Sequence, residues 1–195
     1  MYPIHLKFAV FGSSGAGKTT LLELVRQLAP NVTVHRKDTT RKPRLNEDPS
    51  KSIDLRFVSR EEFEAHRTEY DVVYTKYGDL YGVRRDQLIK AFEYKEIHFA
   101  VIRDIPAIQQ LKFMYPDFRA IYVHVDPEKI PERIQARDTL GHEERQKRTV
   151  QEYTEFLENN TLFDHIILNF WDESNAAKQM QNILNSYVRR ASSNL

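Results

Sequence analysis

The sequence has no cysteine, a single tryptophan, only six glycines in 195 residues and no surplus of either charge, with 29 Lys and Arg against 28 Asp and Glu. Without thiols there are no disulfides, no thiolate zinc sites and no cysteine nucleophile, and nothing points to an oxidising compartment. A net charge of +1 supplies neither an electrostatic coat for nucleic acid nor a polybasic membrane surface, while leaving room for a local basic site. No stretch reaches the ~18 continuous apolar residues of a membrane span. Residues 1–11 are apolar but carry His5 and Lys7, lack a basic leader and run into a glycine-rich loop, so they read as a strand rather than a signal peptide. A cytoplasmic protein, monomeric or homodimeric, is expected. The Asn31 and Asn159 glycosylation sequons then read as coincidence.

What is present is a charged surface (29% Asp, Glu, Lys and Arg) around an apolar fraction of 41%, enough for one core with a small insert at this length. Short apolar runs at Phe8–Phe11, Val32–His35, Phe99–Ile102, Ala120–Val125 and His165–Leu168 alternate with helical patterns. That alternation predicts an α/β fold with a parallel sheet flanked by helices. Ala176, Ala177, Met180, Ile183, Leu184, Tyr187 and Val188 step by three and four along a last helix, with Ala191–Leu195 expected to fray. Another helix starts near Glu143. Asp126-Pro127 reads as a cap followed by a proline at the first helical position, and Pro131 predicts a kink or a delayed start. Residues 36–94 break the rhythm. There Leu55–Val58 and Tyr70–Tyr77 read as strands, Gly78-Asp79 as a turn, and Ser59-Arg60-Glu61-Glu62 as a capping box. The expected division is a core of 1–35 and 95–190 with a small α+β insert at 36–94.

Gly12-Ser13-Ser14-Gly15-Ala16-Gly17-Lys18-Thr19 satisfies G-x-x-x-x-G-K-[ST] between a strand and the helical run from Thr20. Glycines let successive backbone N–H groups turn inward on a phosphate, and the helix N-terminus adds positive potential. Lys18 is placed to reach β- and γ-phosphates, and the Thr19 hydroxyl to ligate Mg²⁺. The guanine-reading N-K-x-D of GTPases is absent, and Asp138-Thr139-Leu140-Gly141 lies too far downstream to be their D-x-x-G. His142-Glu143-Glu144-Arg145-Gln146 fails H-E-x-x-H at its last position, which removes zinc hydrolysis.

The order of the remaining motifs carries a resemblance. The phosphate loop, Thr39-Thr40-Arg41-Lys42-Pro43-Arg44, Phe57-Val58-Ser59-Arg60-Glu61-Glu62-Phe63, Tyr81-Gly82, Arg133–Arg137 and Asn169 together resemble the guanylate kinase family over about residues 6–185. The resemblance implies a P-loop kinase fold with an acceptor-binding insert and a helical lid at about 133–148, using ATP with Mg²⁺ and a small phosphorylated acceptor. It makes Arg41, Arg44 and Tyr81 the clamp on the acceptor phosphate, where guanidinium forks hold phosphate oxygens bidentately. On the residues alone, a solvated basic loop with Arg36, Lys37 and Lys42 is the favoured reading of Arg41 and Arg44. The resemblance also makes Arg137 and Arg148 the lid arginines that act with Lys18 on the transferring group. Arg133 becomes a further ATP-side candidate and Arg145 a neighbouring alternative. Asn169 is implied as the adenine contact, or else as a capping loop residue. Asp104, at the end of an apolar strand, becomes the acidic group that reaches Mg²⁺ through water or the acceptor directly.

The chain departs from that family at the base. A glutamate is replaced by Val72, a serine by Lys37, a tyrosine by Leu55, a small hydroxyl residue by Val83 and an acidic residue by Ile102. A site that hydrogen-bonds its substrate discriminates by ~10⁴–10⁵, and loses that when the partners go. The expectation is transfer from ATP to a nucleoside monophosphate without strict GMP specificity. A kinase of a phosphorylated sugar such as a ribose bisphosphate, with Lys37 on a second anionic group, is the alternative. A non-catalytic interaction domain is the third reading.

Overall fold

Two sheets carry the computed structural model, which describes residues 6–29, 31–44, 47–93, 96–130, 133, 142–170 and 173–193. The larger consists of β1 (Leu6–Phe11), β2 (Val32–His35), β7 (Ile97–Val101), β8 (Phe118–His124) and β9 (His165–Leu168), all parallel, in the order β2-β7-β1-β8-β9. Every residue of β1 is buried, because the central strand of a parallel sheet is covered on both faces. Its side chains still alternate. Leu6, Phe8 and Val10 join Leu21, Leu22 and Val25 of α1 (Lys18–Leu28) and Ala176, Ala177, Met180 and Leu184 of the long C-terminal helix (Glu173–Ser193). Ala9 and Phe11 face the opposite layer, with Ile105, Ile108 and Leu111 of α4 (Ile105–Met114) and Phe156 of α5 (His142–Glu158). Phe156 stacks on Tyr122 at 3.6 Å between ring centroids.

The smaller sheet is β3 (Lys37–Thr39), β4 (Leu55–Phe57), β5 (Tyr70–Lys76) and β6 (Asp79–Arg84), ordered β4-β3-β6-β5 with parallel and antiparallel pairs. Buried Asp38 is its hub. The carboxylate accepts two 2.6 Å bonds from Arg56, one of 3.1 Å from Arg84 and one of 2.6 Å from the Tyr70 hydroxyl. The helix α2 (Arg60–Ala65) is capped by Ser59, whose Oγ accepts from Glu62 N at 3.0 Å. Helix α3 (Arg85–Glu93) leads back to the larger sheet, and Arg85 pairs with Asp71 at 2.7 Å.

The elements named from the sequence follow its pattern with three differences, and the insert adds β3, β6 and α3, which that pattern does not name. The β5–β6 turn is Tyr77-Gly78, with φ of 54° and 86°, and Asp79 already belongs to β6, paired with Lys76; both central residues take positive φ, as two-residue hairpins require. The last helix, α6 (Glu173–Ser193), continues past the expected fray at Ala191. Asp126 caps a short 3-10 turn, Pro127–Lys129, accepting from Glu128 N at 3.0 Å, instead of opening a full helix there. Pro131 lies outside the described residues. Among the described residues no helix is long and apolar enough to cross a membrane.

Candidate active site

Strand β1 ends at Phe11, and residues 12–17 turn back over the sheet edge to start α1. Gly12 (φ 154°) runs so close to β8 that a Cβ there would sit 2.6 Å from the Val123 carbonyl oxygen. Gly17, the N-cap of α1 (φ 81°), would meet the Asn169 amide at 2.6 Å. The loop therefore needs glycine at both positions. Lys18 folds back beneath it, donating to the Gly12 and Ser13 carbonyls at 2.6 and 2.8 Å. Burial lowers the Lys18 pKa to about 7, Arg103 pushing the same way while Glu152 and Asp54 oppose it.

Above the loop opens a cavity of about 550 Å³. Ser14, Gly15, Gly17, Lys18, Thr19 and Thr20 line one side, and Lys37, Arg41, Arg44 and Tyr81 of the insert line the other. Four insert residues named from sequence thus share one cleft with the phosphate loop. Each is held in place. Arg41 grips Glu47 with two bonds of 2.9 and 2.8 Å and lies 5.1 Å from the Phe57 ring centroid. Glu47 also accepts from Arg44 N at 3.0 Å. Lys37 is buried against Asp54 at 3.2 Å, and Tyr81 stacks on Tyr74 at 5.0 Å. Burial lowers the Lys37 pKa, with Asp54 working against the shift.

Other sequence candidates sit elsewhere. Asp104 caps α4, accepting from Ala107 N at 3.0 Å, and faces a second cavity beside Glu155. The free N–H groups of a new helix claim one oxygen of that carboxylate, it does not line the cleft above the phosphate loop, and burial raises its pKa. The acidic group near Thr19 is Asp54, whose Oδ1 accepts from the Thr19 hydroxyl at 3.4 Å. Asn169 is a strut beneath the loop: its amide donates to the Ala16 carbonyl at 2.8 Å and its backbone N–H to the His124 carbonyl at 2.8 Å. Arg133 donates to the carbonyls of Asn169 and Phe170, at 3.3 and 3.2 Å, rather than into the cleft. Arg148 pairs with Glu144 at 2.7 Å and lies 4.1 Å above the Tyr77 ring. Arg137 falls outside the described residues, as does the Arg145 side chain. Gly12, Ser13 and Ala16 frame the loop without lining the cavity.

Hard oxygen donors suit Mg²⁺, which keeps several waters and needs few protein ligands. The Thr19 hydroxyl and the Asp54 carboxylate meet that requirement at the cleft floor, though Asp54 is shared with Lys37. Among the described residues no group of three or more His, Asp or Glu is arranged to hold a metal by itself.

Comparison with known proteins agrees with this geometry. The chain is 30% identical over 166 residues to the guanylate kinase of Fusobacterium nucleatum, covering 83% of this chain and 86% of that protein. It belongs to the guanylate kinase family. The guanylate kinase of Helicobacter pylori is 31% identical over 166 residues (81% of this chain, 76% of that one). That of Protochlamydia amoebophila is 30% identical over 192 residues, 96% and 94% of the two chains. In fold, the chain is similar to the crystal structure of guanylate kinase from Anaplasma phagocytophilum, with a TM-score of 0.69 at 22% identity over 95% of this chain and 87% of that one. Shikimate kinase from Bacteroides thetaiotaomicron gives 0.54 at 14% identity, over 92% and 98%. No protein-family model matches the chain.

Within this guanylate kinase family member, four of the departures noted in the sequence gather in one place. Leu55, Val72, Val83 and Ile102 are all buried in a single apolar cluster with Tyr74 and Tyr81. Val72 and Val83 are cross-strand partners. The replacements form a packed wall where hydrogen-bonding groups would otherwise stand.

Three residues reach this region that the sequence did not single out. Asp54 precedes a strand, Arg103 follows one, and Glu152 sits in the middle of α5. Only Arg103, the first polar residue beyond an apolar strand at the sheet edge where ligands bind, offers a readable signal. Glu152 accepts from Ser14 N at 2.7 Å across 138 residues of sequence, a contact no local pattern reveals.

Proposed function

We propose that this protein transfers the γ-phosphoryl group of ATP to the phosphate of a small phosphorylated acceptor, a nucleoside monophosphate foremost, without strict selection for GMP. The observation that carries this reading is the shared cleft, with a phosphate loop on one side and Lys37, Arg41, Arg44 and Tyr81 on the other. Two anions brought end to end repel each other, and cations on both flanks offset that repulsion. An acceptor phosphate oxygen attacks the γ-phosphorus as the bond to the β-phosphate oxygen breaks, forming a new anhydride and releasing ADP. An ionised phosphate needs little help from a base, so positioning and charge neutralisation do the work.

In this reading Lys18 exchanges its bonds to the loop carbonyls for phosphate oxygens, and Arg41 and Arg44 fix the acceptor. Bound Mg²⁺ would supply further neutralisation of the β- and γ-oxygens, held by Thr19 and, directly or through water, Asp54. Arg137 and Arg148 complete the charge set from the lid side. The packed wall of Leu55, Val72, Val83 and Ile102 supports relaxed base selection, since it offers no acceptor to a guanine N1–H or amine. Lys37 on the cleft, placed for a second anionic group, favours a sugar bisphosphate as the second reading. A cytoplasmic location goes with either.

A panel of nucleoside monophosphates and sugar phosphates, scored for ADP release with ATP and Mg²⁺, tests the proposal. Acceptor-dependent release with several nucleoside monophosphates is the expected result. Turnover of ribose phosphates alone moves the assignment to the sugar reading. No turnover with any acceptor leaves the interaction domain.

A further inference from the structure

Arg103 leaves the end of β7, the strand beside β1, and its side chain lines the cleft next to Lys18, Lys37 and Tyr81. One terminal nitrogen donates to Glu152 Oε1 at 2.5 Å, and that oxygen also accepts from the Tyr77 hydroxyl at 3.1 Å. The other carboxylate oxygen accepts from Ser14 N in the phosphate loop. The Arg103 Nε–H is buried and has no hydrogen-bond partner among the described residues. An orphaned buried donor is costly, and in a native structure it often marks a ligand's place.

Charge arithmetic around the loop points the same way. Lys18, Lys37 and Arg103 are three buried or nearly buried cations, and Glu152 and Asp54 are the two carboxylates that act on them. With both lysines protonated, the form an arriving phosphate favours, the cluster carries one uncompensated positive charge before Arg41 and Arg44 are counted. A carboxylate on a phosphate-loop N–H occupies the kind of bond a phosphate oxygen takes.

We infer that Arg103 is a phosphate-binding residue of this cleft, supplied by the core and aimed over the phosphate loop by Glu152, which an entering phosphate displaces from Ser14 N. The inference rests on the proposed kinase reading and adds a guanidinium that the motifs do not include. Guanidinium suits the task because its planar fork keeps one edge on Glu152 while another faces the phosphate.

Pyrophosphate binding to the full chain, measured by titration calorimetry alongside thermal unfolding, tests the inference. Arg103→Met is expected to weaken binding by about tenfold or more, the scale of one charge-assisted hydrogen bond. That single change leaves Glu152 unpaired near the loop, so the double variant Arg103→Met/Glu152→Met is decisive. With both charges gone the fold keeps its balance, and binding should be about tenfold weaker than in Glu152→Met, which frees the same Ser14 N–H. Equal binding in the double variant and Glu152→Met would mean that Arg103 only cancels Glu152, and would overturn the inference. Unchanged binding in Arg103→Met with loss in Lys18→Met would overturn it too, while leaving the kinase reading standing. Unchanged binding in Lys18→Met as well would overturn both.

Discussion

Lys18 concentrates the chemistry at the scale of a single residue. Burial, then Arg103, brings its pKa to about 7, so near neutrality a sizeable share of the folded protein holds a neutral amine there. A phosphate oxygen in the loop favours the ammonium. Binding of pyrophosphate between pH 7 and 8.5 should therefore take up protons. Calorimetry in buffers of different ionisation enthalpy should show greater proton uptake in the unaltered chain than in Lys18→Met, where only the ligand's own proton is exchanged; equal values in the two would refute it. The same residue lowers stability when charged. Its folded pKa lies below the unfolded value of 10.5, so its contribution improves as pH rises from about 7 towards 10.5. Lys18→Ala should abolish transfer while leaving the fold intact.

Asp38 shows the opposite sign. Burial works to raise its pKa, but hydrogen bonds from Arg56 and Tyr70 and the charges of Arg56 and Arg84 outweigh it and hold the carboxyl below its usual range. Stability from this group is full above the unfolded carboxylate pKa near 4 and is lost as pH falls through the lower folded value. Asp38→Ala takes the acceptor from the Tyr70 hydroxyl and leaves Arg84 with Glu69, at 2.6 Å. Because Arg56 is partly solvated, the loss should be about 2–4 kcal/mol rather than the top of the range for buried pairs, measurable by denaturant unfolding.

Among elements, the insert and the core divide the labour. Arg41→Ala should raise the acceptor KM by about tenfold or more, the scale of a charge-assisted hydrogen bond, with little change in the KM for ATP. Steady-state kinetics with each substrate varied in turn separates the two, and equal losses would contradict the clamp. Much of this was legible in the chain. β1, the phosphate loop and β9 follow from apolar runs bounded by Gly or Asn, and Arg41, Arg44 and Tyr81 follow from contiguous motifs. The turn at Tyr77-Gly78 misleads because Gly-Asp is itself a turn dipeptide, while the Lys76–Asp79 pairing sets the register. Asp104 is ambiguous in sequence because a strand-end carboxylate has two uses, and α4 takes one of its oxygens as a cap. Arg103 offers one signal, its place beyond an apolar strand, but Asp54 and Glu152 were hidden because they reach the site only through tertiary packing, Glu152 meeting Ser14 across 138 residues.

Across the whole molecule, the parallel sheet presents the phosphate loop and the small sheet presents the arginines, with the apolar wall of Leu55, Val72, Val83 and Ile102 at the hairpin base. On the proposed function, retaining the charge-handling side while replacing the base-reading side makes a kinase defined by phosphates more than by a base. Phosphorus NMR of the product is the most direct test. With ATP, Mg²⁺ and a nucleoside monophosphate, the account predicts a new coupled pair of α- and β-phosphate signals from the acceptor, appearing in step with ADP and about tenfold more slowly with Arg41→Ala at the same sub-saturating acceptor concentration. Inorganic phosphate accumulating at a rate indifferent to the acceptor, with no new anhydride signal, would contradict it.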